Sequence, residues 1–318
     1  MPLYALIGVG VGASGTSLLA LLATAVAPER RPAAASITWI MMIVGIVLTA
    51  AIAGANLDPF TPQRLALVAT VVAGVAFVLT LLAVSGVEDR LLRDAPPPSL
   101  AQDRGSEARV RLTFREVIEQ IWAEPLARGF TIFVFASMLA YSAQDLILEP
   151  YAGLVFGYSV GESTALAGVQ HGGVLLGMIL VGLSGAILRG DRALWLKRGT
   201  IFGCAASAGA LVLLASAGFN AGGWPLAPTV FALGFANGVF AVSAIGLMMS
   251  FAGAGAGGRE GVRMGLWGAS QAIAFGLGGF AGAVGLDTMR GLAPTTEVAF
   301  ASVFGAEAAV FLVAAWLA

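Results

Sequence analysis

The stretch Ala33–Ala55, AAASITWIMMIVGIVLTAAIAGA, contains no charged residue and only three hydroxyl side chains. A helix needs about 17–25 mostly apolar residues to cross a bilayer. Backbone amides in hydrocarbon have to form their hydrogen bonds within their own segment, so such a run is read as a helix. This stretch therefore predicts a transmembrane helix.

The rest of the chain repeats this pattern. Of its 318 residues, 58% are hydrophobic and 11% are charged, whereas about a quarter of the residues in a soluble domain are charged. The sequence predicts an all-α polytopic membrane protein with nine transmembrane helices. The predicted spans are, in order, about Leu3–Ala27, Ala33–Ala55, Leu65–Gly86, Gly129–Glu149, Ser163–Leu188, Gly199–Gly218, Pro225–Ser250, Met264–Gly285 and Thr295–Leu317.

The basic residues are distributed unevenly among the predicted loops. When each loop is numbered by the span that it follows, the odd loops hold fifteen Arg and Lys residues, and the even loops hold only Arg64 and Arg290. Cytoplasmic loops of membrane proteins are enriched in Lys and Arg. The pattern predicts a multi-pass protein with its N-terminus outside and its C-terminus in the cytoplasm. The net charge of −1 gives no reason to expect nucleic acid as a partner.

A charged segment at residues 88–128 interrupts the series of spans. It contains Pro96, Pro97 and Pro98 and a predicted amphipathic helix at Thr113–Glu124, which we expect to lie along the cytoplasmic surface of the membrane. We predict three parts: residues 1–87 with three spans, a cytoplasmic linker at 88–128, and residues 129–318 with six spans.

Polar side chains inside the spans are the candidate functional residues, because burying them in hydrocarbon is costly. Gln144, Asp145 and Glu149 lie in the fourth span, and Gln170 and His171 lie in the fifth. A short loop joins these two antiparallel spans, so we expect Asp145 and His171 to lie at similar depths in the outer half of the membrane. The two spans therefore predict a polar site between them.

These residues allow more than one interpretation. Asp145 and Glu149 either contribute to a site or solvate the wet end of their helix, which we expect Pro150 to end or kink. His171 is either a neutral imidazole hydrogen-bonded to a neighbouring helix or an axial ligand of a magnesium tetrapyrrole, because neutral imidazole is a common metal ligand.

Three further polar residues, Asn237, Gln271 and Glu307, lie inside the seventh, eighth and ninth spans. A carboxyl at mid-depth, such as that of Glu307, is expected to be protonated, paired or facing a cavity. It would serve either a structural hydrogen bond or proton-coupled transport. The chain has no catalytic triad, no zinc-ligand spacing and no phosphate-binding loop, so we expect a protein that is not an enzyme and has no metal site of its own.

Two runs carry a resemblance to a known family: Gln144–Gly153, QDLILEPYAG, and Gln170–Met178, QHGGVLLGM. Together with Gly8–Thr16, Trp39–Gly45 and Leu57–Pro62, they resemble the PucC/LhaA family of phototrophic bacteria, a major-facilitator-like branch. The resemblance covers essentially the whole chain, but the family's first three helices have no counterpart in it. The resemblance therefore implies a truncated major-facilitator-like fold.

The resemblance also implies a function. It implies an assembly factor or accessory subunit of photosynthetic light-harvesting complexes, which binds or delivers bacteriochlorophyll or another tetrapyrrole in the bacterial inner (intracytoplasmic photosynthetic) membrane. The implied partners are antenna polypeptides or the reaction-centre core complex, together with membrane lipids. The alternatives are a proton-coupled major-facilitator secondary transporter and an enzyme of tetrapyrrole synthesis. The candidate pigment- or ligand-binding residues are Gln144, Asp145, Glu149, Tyr151, Gln170 and His171.

Overall fold

The computed structural model describes residues 31–86, 122–187, 191–253 and 260–318, and residues 10, 14, 18, 26 and 119 singly. The first predicted span, Leu3–Ala27, lies outside the described residues apart from those single positions. Most of the 88–128 segment, with most of the predicted helix Thr113–Glu124, also lies outside them. The predicted division into three parts therefore stays a prediction.

Eight long α-helices make up the described ranges, and no strand occurs within them. Each of the eight contains a stretch long and apolar enough to cross a membrane. The predicted all-α polytopic membrane protein is confirmed, with eight of the nine predicted helices in the described residues; the major-facilitator-like plan stays a prediction. The helices are α1 Arg31–Leu57, α2 Pro62–Val84, α3 Pro125–Phe156, α4 Val160–Ile187, α5 Arg192–Ala217, α6 Leu226–Gly253, α7 Glu260–Leu292 and α8 Thr296–Leu317, with a 3₁₀ turn at Gly218–Asn220 after α5.

Helix α3 does not end at Pro150, so that part of the expectation is wrong; a kink there stays a prediction. The helix begins at Pro125, where a missing amide hydrogen costs nothing, and continues past Pro150 to Phe156. It stops at Gly157, whose φ of 72° is left-handed and favours glycine. Proline is tolerated inside a membrane helix when its neighbours satisfy the backbone group that it leaves free.

The chain divides into two compact units, residues 1–42 with 71–109 and residues 43–70 with 110–318. In the first unit, the described residues are the first turns of α1 and the last part of α2. None of the described side chains of α2 is buried. The second unit contains helices α3 to α8 together with the end of α1 and the start of α2, and it holds every feature discussed below.

Within the second unit, α3 and α7 run side by side in the same direction. The Ser270 hydroxyl donates to the Thr131 carbonyl at 3.2 Å, and Gly282 lies against Ala143. Both pairs differ by 139 in residue number, as parallel helices require. The three residues 293–295 join α7 to α8, which contacts both α7 and α3. Helix α8 is therefore antiparallel to α3.

Helices α4 and α6 are also parallel, and glycines form their contact. Gly173 and Gly177 on α4 meet the backbone of α6, and Gly234 and Gly238 on α6 meet the backbone of α4. A Cβ added at Gly177 would lie 2.9 Å from the Val239 amide nitrogen, closer than real Cβ atoms approach. Two small-xxx-small pairs thus allow the helices to touch along their backbones.

The remaining neighbours complete an alternating bundle. Residues 157–159 join α3 to α4, so these two helices form an antiparallel hairpin. Helix α5 is antiparallel to α6, since Gly203 lies against Phe240 and Ser207 bonds to Asn237. Consequently α3, α5 and α7 run in one direction, and α4, α6 and α8 run in the other.

Candidate functional site

A partly open cleft of about 200 Å³ lies between α3 and α4. Both helices contribute apolar and polar groups to it, so it combines a hydrophobic wall with a few hydrogen-bonding side chains. The lining residues are Asp145, Leu148 and Glu149 from α3 and Ser163, Leu166, Ala167, Gln170 and His171 from α4.

Asp145 and Gln170 bridge the two sides of the cleft. The Gln170 amide nitrogen donates to Asp145 Oδ1 at 3.1 Å, across the α3–α4 hairpin. Gln170 is buried and Asp145 is half-buried, so this hydrogen bond lies at the floor of the cleft and not at its mouth. A hydrogen bond between two helices restricts both side chains, so it holds Asp145 and Gln170 in position.

The imidazole of His171 has one committed nitrogen and one free for other partners. Its Nδ1 lies 2.9 Å from the Ala167 carbonyl oxygen, one turn earlier on α4. A carbonyl oxygen only accepts hydrogen bonds, so in this arrangement Nδ1 carries the hydrogen. In the neutral imidazole the lone pair is then on Nε2, the tautomer in which a histidine with a backbone-bonded N–H binds a metal ion. His171 is half-buried in the cleft wall.

Glu149 lies one helical turn beyond Asp145 and is exposed. It lines the same cleft, at the end where α3 approaches its terminus. Its position fits both interpretations drawn from the sequence, because the carboxyl can solvate the helix end and also reach a ligand at the mouth of the cleft.

Tyr151 and Gln144, two of the six candidate residues, face away from the cleft. Tyr151 is 1% exposed, and its hydroxyl donates to the Leu214 carbonyl of α5 at 2.6 Å. Its ring packs against Phe300 and Phe304 of α8, with centroids 5.1 and 5.0 Å away. Gln144 precedes Tyr151 by seven residues and so shares its face of α3. The structure therefore divides the four candidates of α3 between two faces of that helix.

The other three intramembrane polar residues differ in burial. Asn237 is fully buried, and its Oδ1 accepts from the Ser207 hydroxyl at 2.8 Å. Glu307 is 6% exposed, and neither of its carboxyl oxygens has a hydrogen-bond partner. Gln271 on α7 is half-buried. None of the three lines the cleft.

Sequence reasoning missed the contact that fixes the start of α4. Asp58 accepts hydrogen bonds from the Ser159 hydroxyl at 2.7 Å and from the Gly161 amide at 3.3 Å. Ser159 and Glu162 also bond each other's backbone amides, at 3.1 and 2.8 Å. The Ser-x-x-Glu spacing of this capping box is visible in the sequence, whereas the role of Asp58, 101 residues from Ser159, is not.

The geometry defines the class of protein. It is a polytopic α-helical membrane protein in which two adjacent helices enclose a cleft with apolar walls and one imidazole. The family model described as "PUCC protein" matches residues 1–318. The chain therefore belongs to the PucC family, as the motifs at Gln144–Gly153 and Gln170–Met178 predicted. It is a multi-pass membrane protein of photosynthetic bacteria.

Three curated relatives illustrate the range of similarity. The chain is 52% identical to the "Bacteriochlorophyll synthase 44.5 kDa chain" of Rhodobacter capsulatus, over 99% of this chain and 70% of that protein. It is 29% identical to "Protein PucC" of the same organism, over 98% of this chain and 65% of that protein. It is 28% identical to "Protein PucC" of Cereibacter sphaeroides, over 86% and 56%. The chain thus spans between about half and seven-tenths of the length of these relatives.

The expectation that the protein is not an enzyme is contradicted. The relative with 52% identity is named a bacteriochlorophyll synthase, which is an enzyme's name. Our expectation rested on the lack of triads, zinc spacings and phosphate loops, which are local motifs. A membrane site assembled from single polar residues on separate helices, like this cleft, leaves no such local motif in a sequence.

Proposed function

We propose that this protein acts in the biogenesis of the bacterial photosynthetic apparatus by holding bacteriochlorophyll, or another tetrapyrrole, at the α3–α4 cleft. Membership of the PucC family and the name of the relative with 52% identity support a role in photosynthetic pigment or complex biogenesis. The finer proposal is that the pigment is passed from the cleft to antenna polypeptides or to the reaction-centre core complex.

The observation that carries the proposal is the hydrogen bond made by the His171 imidazole. Its Nδ1 is bonded to the Ala167 carbonyl, which leaves Nε2 with a lone pair in the cleft wall. A magnesium tetrapyrrole in the cleft would take this nitrogen as a ligand of its magnesium. Gln170 and Asp145 lie beside it, already bonded to each other, and they would orient polar substituents at the ring's edge.

The size of the cleft bears on how the pigment would be held. Sites that enclose a drug-sized ligand measure about 300–1,000 Å³, and a tetrapyrrole is larger than most drugs. A cleft of about 200 Å³ accommodates only part of such a molecule. The rest of the ring would contact lipid or a partner polypeptide. This supports transient holding and transfer over permanent storage.

The experiment is to purify the protein gently from a phototroph's membranes and to record its absorption spectrum, with the co-purifying polypeptides identified. We expect His171→Leu to lose most of the bound pigment relative to the unaltered protein at equal yield. The matched control is Ser184→Val, also on α4, whose hydroxyl bonds only within its own helix. An unchanged pigment-to-protein ratio in His171→Leu would refute the proposal.

A second candidate function is a direct part in bacteriochlorophyll synthesis, which the name of the relative with 52% identity favours. The two roles differ in what a deletion strain accumulates. Loss of a synthetic step leaves pigment precursors and little bacteriochlorophyll, whereas loss of delivery leaves complete pigment without assembled antenna. Proton-coupled transport stays a prediction, and uptake into proteoliposomes tests it.

A further inference from the structure

A second polar site lies inside the helical bundle, away from the cleft. Five of its side-chain atoms are buried and have no hydrogen-bond partner: both oxygens of Glu307, both polar atoms of Gln144 and the Asn237 amide nitrogen. Gln144 and Asn237 are fully buried, and Glu307 nearly so. Native proteins rarely leave buried polar groups unsatisfied, so a cluster of them requires an explanation.

Gln144 and Glu307 face each other across the α3–α8 contact. The rings of Tyr151 and Phe300, which belong to these two helices, lie 5.1 Å apart. Gln144 precedes Tyr151 by seven residues, and Glu307 follows Phe300 by seven. Seven residues are two turns, about 10.5 Å, and return to the same helix face. Because α3 and α8 are antiparallel, both steps lead in the same direction to one depth.

A separate ring contact, between α6 and α8, places Asn237 at about the same depth. The rings of Phe240 on α6 and Phe311 on α8 are 6.1 Å apart. Asn237 precedes Phe240 by three residues, and Glu307 precedes Phe311 by four. Helices α6 and α8 run in the same direction, so the two steps differ by only about 1.5 Å of rise. Three helices thus contribute one polar residue each to one layer.

A carboxyl in the cleft acts on the carboxyl in this layer. Asp145, the neighbour of Gln144, interacts electrostatically with Glu307. Asp145 accepts a hydrogen bond from Gln170, whereas neither oxygen of Glu307 receives one. An unpaired carboxylate is costly in a low-dielectric interior, and two neighbouring negative charges raise that cost further.

We infer that Gln144, Asn237 and Glu307 form a proton-binding site inside the bundle, in which Glu307 is a neutral carboxylic acid. Its O–H donates to, and its C=O accepts from, the two amides, directly or through a bound water. A protonated acid and an amide supply complementary donors and acceptors. The negative charge of the two carboxyls remains on Asp145 at the cleft.

Infrared spectroscopy tests the inference on the purified full chain. A neutral carboxylic acid has a carbonyl stretch that is separate from the carboxylate bands and shifts in heavy water. At neutral pH we expect this band in the unaltered protein and its loss in Glu307→Gln. Glu297→Gln, which alters a carboxyl in the first turn of the same helix, is the control and should retain the band. A spectrum unchanged by Glu307→Gln would overturn the inference.

The hydrogen bond has its own test in the same measurement. Gln144→Leu removes the facing amide and should move the carbonyl band to higher frequency, since a hydrogen bond lowers that frequency. Thermal unfolding of Gln144→Leu, Glu307→Leu and the double variant supplies a readout of coupling. We expect the double variant to lose less than the sum of the single losses. Additive losses with an unmoved band would refute the pairing.

Discussion

The two sides of α4 differ in how they meet their neighbours. On one side, α4 and α3 enclose a polar cleft of about 200 Å³. On the other, α4 and α6 touch along four glycines with no space for a side chain. Gln170 belongs to both sides. Its side-chain amide nitrogen donates to Asp145, while its backbone carbonyl lies against Gly234.

This difference teaches how a membrane protein holds the lining of a cleft in place. A site is effective when its groups are fixed by rigid elements behind them. The backbone contact between α4 and α6 leaves α4 no freedom to rotate or slide. Gln170 and His171 are therefore presented to the cleft from a fixed helix. The contact provides the rigidity, and the cleft provides the chemistry.

The largest effect is expected where the glycine contact is broken. Gly173→Leu places a side chain against the backbone of α6, where a Cβ alone would lie 2.8 Å from the Phe235 amide nitrogen. We expect a loss of about 3 kcal/mol or more in the free energy of unfolding, because neither backbone can yield. The measurement is unfolding in mixed micelles.

Gly182→Leu is the control for that prediction. It lies on the same helix, and a Cβ there meets nothing within 4 Å. We expect it to unfold like the unaltered protein. Equal stability of both leucine variants would show that the glycine contact does not fix α4.

An intermediate effect is expected on the cleft side. Gln170→Leu keeps the size of the side chain but removes the donor to Asp145, which then lacks its hydrogen bond across the hairpin. We expect a loss of about 1–3 kcal/mol in the free energy of unfolding, because a half-buried carboxyl loses its hydrogen-bond donor. Asp145→Asn, whose amide oxygen can still accept from Gln170, should lose less. The reverse order would contradict the assigned hydrogen bond.

The smallest effect is expected at the start of α4, where Asp58 accepts hydrogen bonds from Ser159 and Gly161. Asp58→Ala removes these bonds from the first turn of the helix. The expected loss is about 1 kcal/mol, as for other helix caps. Asp58→Asn retains an acceptor and should recover most of it. Hydrogen exchange at the α4 amides locates the change, and faster exchange elsewhere in the bundle instead would rule out local capping.

The sequence predicted the helices well but not all of their ends. The predicted second to ninth spans correspond to α1 to α8. Helix α5, however, begins at Arg192 and not near Gly199, because the Asp191 side chain accepts from the Ala193 and Leu194 amides and caps the helix there. Hydropathy locates the apolar part of a helix, whereas caps and backbone bonds extend it past the apolar part.

The candidate site was predicted only in part. Asp145 and His171 were expected to lie at similar depths, because a short loop joins two antiparallel helices. Tyr151 was grouped with them by the family resemblance, yet it packs against α8. In a helical hairpin the sequence predicts the depth of a residue in the membrane well. The direction in which its side chain faces depends on which neighbour that helix face meets.

The sequence alone determined that this is a polytopic helical membrane protein of the PucC family. Each transmembrane segment must be long and apolar enough to cross the bilayer by itself, so its signal is local. Only the tertiary structure decided that Asp145 lines the cleft, whereas Gln144, adjacent in the chain, is buried in the bundle. Neighbouring residues on a helix are about 100° apart. Which of them meets a cleft and which meets the interior therefore depends on how the helices pack.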